Sequence, residues 1–247
     1  MLRTLVHLVG LIGAAAAAPS DAAEPLVADL SQQVIAINSR FTGAEVLLFG
    51  ATDGVGDVVV VIRGPQTPVL VRQKERVAGI WTNTETVLFN QVPGFYAVAS
   101  TRPLDELGVP ELLAVHQIGV ANLRLPAPAG LEPKRTEAFR DGLIRNMGYQ
   151  QLFARDVAPV SFIGQQLFRT TIDFPVNVPT GSYVAETYLF RDGQLIRSQS
   201  SALLIYKAGL EATVFDFAQD RAWQYGVLAV LVALVAGWTA DLLFRRA

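Results

Sequence analysis

One stretch limits this chain more than any other. From Tyr225 to Ala240 there is no charged side chain, and the run is built from Val, Leu and Ala with Gly226 and Gly237. Taken as a helix from Trp223 to Phe244, it measures about 33 Å at 1.5 Å per residue, enough for a hydrocarbon core of about 30 Å. Trp223 and Tyr225 mark one interface and Trp238 lies toward the other. Arg245 and Arg246 follow at once, and cations beside a span mark its cytoplasmic side. The expectation is a single transmembrane helix at 223–244, a cytoplasmic tail at 245–247, and all earlier residues outside the cytoplasm.

The N-terminus agrees independently. Arg3 precedes an apolar run from Leu5 to Ala18, followed by Pro19, Ser20, Asp21, Ala22 and Ala23. This is the order of a secretory signal peptide, with cleavage after Ala22, Ala23 or Ala18, and residues 1–23 are read as that segment. The run is shorter than the ~20 residues a span requires. Export and the positive flank together place the protein in a membrane with its ectodomain outside the cytoplasm.

Within the span, Ala229, Ala233 and Gly237 recur at i, i+4 and i+8. A stripe of small side chains lets a second membrane helix approach closely, so these three are the candidate helix–helix contact. Ala and Gly are also common in membrane helices without any partner. Asp241 lies one turn from Arg245 and is expected to pair with it at the inner headgroup level.

Composition excludes much chemistry. With no cysteine, the chain has no disulfide, thiolate metal site, iron–sulfur cluster or Cys nucleophile. Of its two histidines, His7 falls in the signal peptide, which leaves His116 as the one candidate base of a Ser-His-Asp arrangement. A structural or surface role suits His116 better, since nothing near it in sequence completes a triad. The net charge of −2 persists after removal of Arg3 and Asp21, and no basic stripe marks a nucleic-acid surface. Asp53 to Asp57 holds two carboxylates and two glycines, but lacks the alternating ligands of a calcium loop and reads as a hairpin turn. No cofactor, metal or catalytic residue is expected, and the chain is not expected to be an enzyme.

Between the ends the pattern is mainly β. Short runs rich in Val, Ile, Leu, Phe and Thr occupy Val34–Ile37, Glu45–Phe49, Asp57–Arg63, Val69–Arg72, Glu85–Asn90 and Phe95–Ser100. Turn residues separate them, at Thr42–Gly43, Gly64–Pro65 and Pro93–Gly94. Val58 to Ile62 is continuously apolar, as in a strand buried on both faces. A short helix or irregular crossing is expected over Leu104–Leu113 and a last strand over Gln117–Leu125. These make an N-terminal β-sandwich at 24–125.

The segment 126–150 is read as a linker and helix: Leu125 to Gly130 is rich in Pro, Ala and Gly, and Phe139, Leu143 and Met147 then recur at helical spacing. From 151 to 207 the β pattern returns at Leu167–Phe174, Tyr183–Phe190 and Gln194–Tyr206, with Asp192-Gly193 as a hairpin signal. The expected architecture is two Ig-like or fibronectin-like sandwiches, one amphipathic helix between them, a stalk at 208–222 and the membrane helix.

With those residues in view, the chain resembles the alphaproteobacterial putative transmembrane proteins, a family of uncharacterised function. The resemblance spans the whole chain and rests on Leu26–Phe49, Gly56–Pro65, Phe95–Ser100, Leu167–Phe168, Pro179–Tyr183, Leu189–Gly193, Tyr225–Gly226 and Gly237–Trp238, in that order. It implies a bacterial inner-membrane protein with a periplasmic domain and an association with sulfite-exporter-like permeases. It carries over no catalytic residue.

Two functions follow as expectations. One is a periplasmic interaction module that binds another envelope or inner-membrane protein, as accessory to an inner-membrane transporter, and meets the lipid bilayer through its C-terminal helix. The other is a ligand-binding or hydrolytic protein whose inter-domain cleft would draw on Arg63, Arg72, Tyr96, Arg102 and Arg169.

Overall fold

The computed structural model describes residues 25–77, 79–107, 109–128, 130–209 and 222–244. The expected signal peptide, residues 210–221 of the stalk and the Asp241–Arg245 pair lie outside the described residues.

The fold is mainly β and is organised around β4 (Asp57–Arg63), whose five consecutive buried residues, Val58 to Ile62, lie on both faces of the strand. Val58, Val60 and Ile62 point to one side of it and Val59 and Val61 to the other, and all five are buried. Each such side chain is worth about 1.5–3 kcal/mol when removed from water, so a strand of this composition is stable only with a layer on each face.

β4 lies in a six-stranded sheet with β2 (Val34–Ile37), β7 (Tyr96–Ser100), β8 (Ala158–Pro159), β11 (Gly181–Arg191) and β12 (Gln194–Lys207), in the order β2-β12-β11-β4-β7-β8. A second sheet has the order β1-β3-β10-β9, from β1 (Leu26–Leu30), β3 (Ala44–Thr52), β10 (Leu167–Phe174) and β9 (Ser161–Ile163). The four-stranded sheet packs on one face of the six-stranded sheet, with Leu48, Phe168, Val60, Tyr183 and Ile205 in the shared core. Along one side, Gln199 of β12 clips β1 in place. Its amide accepts from Ala28 N–H at 2.9 Å and donates to Ala28 C=O at 2.9 Å.

The opposite face of the six-stranded sheet is covered by α1 (Pro110–Val115), α2 (Pro133–Tyr149) and the root of a long hairpin, β5 (Gln66–Val77) with β6 (Ile80–Pro93). Phe139, Leu143 and Met147 form the buried stripe of α2, at the expected spacing. They meet Phe89, Tyr188 and Phe153 in a second core.

The mainly-β class agrees with expectation, but the segments 24–125 and 151–207 do not form two separate sheet units in series. β10 pairs with β3 over eight residues, and β11 pairs with β4 over seven. Strands from both sides of the Pro-rich linker therefore share each sheet, and α2 caps one module. Short strands of either segment alone would leave an apolar face in water, and interleaving buries both.

Three local expectations are corrected as well. Residues 120–122 of the expected last strand form a 3-10 turn, because Gln117 and Gly119 adopt positive φ and redirect the chain. Asp53 to Asp57 is a crossing from the four-stranded to the six-stranded sheet instead of a hairpin turn. β5 and β6 extend far past Val69–Arg72 and Glu85–Asn90, pairing as far as Val77 and Ile80. At Asp192-Gly193 the hairpin is as expected, with φ of 51° and 74°, the pair of left-handed residues that a tight β-turn of this hand needs.

The third helix, α3 (Ala222–Phe244), is the one described helix long and apolar enough to cross a membrane. Ala229, Ala233 and Gly237 are exposed on it, and a Cβ built at Gly237 would meet nothing within 4 Å.

Candidate functional site

One group of polar residues on the helical side of the six-stranded sheet lies at the Arg63 end of β4. Arg63 closes β4 and is the register partner of Tyr96 at the start of β7. Its guanidinium pairs with Glu186 of β11 and donates to the carbonyls of His116, at 2.5 Å, and Gln117, at 3.3 Å. The hydroxyl of Tyr96 donates to the Gln117 carbonyl at 2.8 Å and accepts from Gly119 N–H at 2.8 Å. The His116 ring packs against Tyr188 with centroids 5.2 Å apart. The 116–119 loop is thus held to the sheet by two side chains from β4 and β7. The arrangement secures a loop; no nucleophile and base are brought together by it.

Burial pushes the Tyr96 phenol up to about 12, against a partial offset from the Arg63 charge and the Gly119 N–H. Burial also raises Tyr183. Below pH 10 these tyrosines are protonated whether the chain is folded or not. Above it, the unfolded chain releases protons that the folded chain keeps, so stability falls as pH rises, by about 1.4 kcal/mol per pH unit for each such group. Tyr96→Phe should reduce that alkaline slope between pH 10 and 12. It should also cost about 1–3 kcal/mol at neutral pH, where Gly119 N–H loses its acceptor and Gln117 C=O keeps only the longer bond from Arg63. Urea unfolding of both proteins across this pH range checks it, and identical slopes would refute the assignment.

Of the five residues expected to line a cleft, only Arg63 and Tyr96 meet. Arg102 pairs with Asp57 at 2.5 Å. Arg72 is exposed on β5 beside α2, near Phe139 and Arg145. Arg169 lies on the far sheet, in register with Phe49 and Ser161. The two carboxylates of the Asp53–Asp57 loop are both taken by arginines, Asp57 by Arg102 and Asp53 by Arg191 at 2.7 Å. Arg191 also donates to the Val55 carbonyl at 2.8 Å, which ties the crossing down.

A cavity of about 510 Å³ opens between β10 and β7. Val60, Ile62, Phe95, Ala97, Ala99 and Ile172 line its interior, with Arg155, Asp156 and Asp173 among its polar lining residues. None of the five expected residues reaches it.

Two exposed apolar features had no signal in the sequence. On the outer face of the four-stranded sheet, Val27, Ala51, Leu167 and Ile163 form one row across all four strands, by register. Phe49 in the next row and Leu47 beyond it continue the surface, and Val27, Phe49, Leu167 and Ile163 are each about half exposed. Alternation along each strand predicts which residues share a face, but only the pairing places these side chains together. The second feature is the end of the β5–β6 hairpin, where Ile80 and Trp81 are exposed.

The family model that matches the chain is described as "Putative transmembrane protein (Alph_Pro_TM)" and covers residues 25–246. No curated protein matches the chain. Among solved structures, one chain from a study of T cell specificity and activation by the bacterial superantigen toxic shock syndrome toxin-1 aligns with 74% of this chain and 99% of its own length, at 6% identity and a TM-score of 0.30. Likeness at that score carries no argument. Membership rests on the family model, whose match runs from the first strand through the apolar helix: the chain belongs to the putative transmembrane protein family Alph_Pro_TM.

Proposed function

We propose that this protein is a membrane-anchored interaction module of the bacterial periplasm. It binds a multi-span inner-membrane protein, as accessory to a transporter, and has no catalysis of its own. The C-terminal helix holds the module at the inner membrane, with Arg245 and Arg246 on the cytoplasmic side. The observation that carries the reading is the outer face of the four-stranded sheet. Soluble proteins rarely leave an unbroken apolar row across a whole sheet, here Val27, Ala51, Leu167 and Ile163 with Phe49 beside it, unless something covers it. A partner confined to the same membrane needs little intrinsic affinity, because both proteins are held within tens of ångströms of one plane.

A photo-crosslinking residue at Phe49, in the full chain in native membranes, tests this. The expected result is one adduct, identified by mass spectrometry as a multi-span membrane protein and absent when the crosslinker sits at the exposed Glu137 of α2. No adduct beyond the Glu137 control, or an adduct with a second copy of this chain, would overturn the reading.

A further inference from the structure

The β5–β6 hairpin has a use that the sheet face does not explain. From Arg72 to Arg76 and from Gly79 to Thr84, every side chain is exposed. A two-stranded ribbon standing in water is marginal, and its tip would ordinarily be polar. Here the tip carries Ile80, 69% exposed, and Trp81, 68% exposed.

The cations nearby are placed by register. Arg76 pairs across the ribbon with Trp81, and Lys74 pairs with Asn83, so both cations share the Trp81 face. Glu75 pairs with Thr82 on the other face, and its carboxylate accepts from Gln73 Nε2 at 2.9 Å. Ile80 lies at the turn end of the Glu75 face, next to Trp81 in the chain. An indole beside two cations on one face, with an aliphatic side chain at the turn on the other, matches the chemistry of the boundary between anionic headgroups and acyl chains.

The topology puts this tip within reach of a bilayer. β4 runs antiparallel to β11, and β11 antiparallel to β12, with Arg63 opposite Val184 and Leu203 opposite Tyr183. The chain therefore enters the hairpin at the same end of the sheet from which β12 leaves toward the span. The residues between β12 and the helix can extend to at most roughly 50 Å, and a twelve-residue strand such as β5 measures about 41 Å. By length alone, the tip can reach the surface that α3 enters.

We propose that the hairpin tip, Lys74, Arg76, Ile80 and Trp81, is a second membrane contact. It rests in the headgroup layer of the anionic bilayer that the C-terminal helix crosses. A module held at one point is not fixed in tilt; an anchor and a docked tip together restrict its orientation and fix which face it presents along the membrane. The inference requires the membrane anchor but not the protein partner proposed above.

The chain has three tryptophans, so Trp223→Phe with Trp238→Phe leaves Trp81 as the only indole. This full-length protein would be placed in lipid nanodiscs of phosphatidylcholine, with or without phosphatidylglycerol. The lipids would be brominated about 5–10 Å below the headgroups. The expected result is bromine quenching and a blue-shifted Trp81 emission in the phosphatidylglycerol discs, with less quenching by aqueous acrylamide than in phosphatidylcholine alone. Lys74→Gln with Arg76→Gln should lower the docked population ratio by about fivefold per cation, on a scale of ~1 kcal/mol each. An unchanged near-ultraviolet tyrosine spectrum would show that the variants remain folded. Water-like emission with equal acrylamide access in both lipids would overturn the proposal. So would bromine quenching that ignores both lipid charge and the glutamine pair, or a blue shift that appears only in native membranes, which would assign the tip to a protein.

Discussion

Gly50→Val should destabilise the module by at least ~3 kcal/mol, more than the ordinary cost of an overpacked core site, because backbone stands in the way. Gly50 sits in β3 between Ala28 of β1 and Phe168 of β10. A Cβ there would lie 2.3 Å from the Val27 carbonyl oxygen and 2.4 Å from Cζ of Phe168. The Phe168 ring is fully buried in the sandwich core, and the Val27 carbonyl can retreat only if β1 separates from β3. For a chain of this size the loss corresponds to roughly 6–12 °C in Tm. Gly50→Ala should shift it in the same direction by less. Thermal unfolding of the full chain in mild detergent, followed by far-ultraviolet circular dichroism, measures both. A Tm for Gly50→Val equal to wild type would mean that the strands are not packed as described.

Phe95→Ala is expected to cost about 3–5 kcal/mol and to loosen both ends of the sequence together. Phe95 is buried, stacks on Phe174 at 4.9 Å between ring centroids, and meets Tyr183 at 6.1 Å. Phe174 and Tyr183 meet edge-on at 5.7 Å, and the Tyr183 hydroxyl donates to the Pro179 carbonyl at 2.5 Å. One ring of this trio comes before the Pro-rich linker and two come after it. If the sheets are shared as observed, hydrogen exchange in the variant should accelerate in β3 and β4 and in β10 and β11 by similar factors. Wild-type protection of β10 to β12, beside faster exchange in β3 and β4, would instead indicate two separately stable units.

Much of the local structure was legible. β4 and β10 begin and end where the residue pattern puts them, and the stripe of α2 is the expected Phe139, Leu143 and Met147. These elements announce themselves because an apolar run or period reflects which faces are covered, and that information is local. β1 was missed although Leu26, Ala28 and Leu30 alternate with exposed residues, since five residues give too short a period to stand out. The outer hairpin was missed for a different reason. Apart from the residues around its turn, Ile80 and Trp81 among them, Arg72 to Glu85 is polar on both faces, so the strands there are held by backbone pairing and carry no core-facing alternation.

The candidate surfaces were less legible than the strands. The pairing of Arg63 with Glu186 joins strands whose adjacency has no sequence signature, and Tyr96 captures a loop residue 21 positions away with no pattern linking the two. The Pro-Ala-Pro-Ala-Gly stretch looked like a domain boundary because its composition forbids regular structure, and it does. Composition says nothing about whether the strands on its two sides pair with each other.

By itself, the sequence determined the apolar span with its flanking arginines, the mainly-β character, the central strand buried on both faces and the amphipathic helix. Each follows from hydrophobicity and its period along the chain, which are properties of neighbouring residues. Only the tertiary structure decided that β3 receives β10 and β4 receives β11, and that the outer sheet face and the hairpin tip are left uncovered. Those outcomes depend on long-range pairing, where the bonds run between backbone groups common to every residue. The choice is made by whichever arrangement leaves the least apolar surface in water.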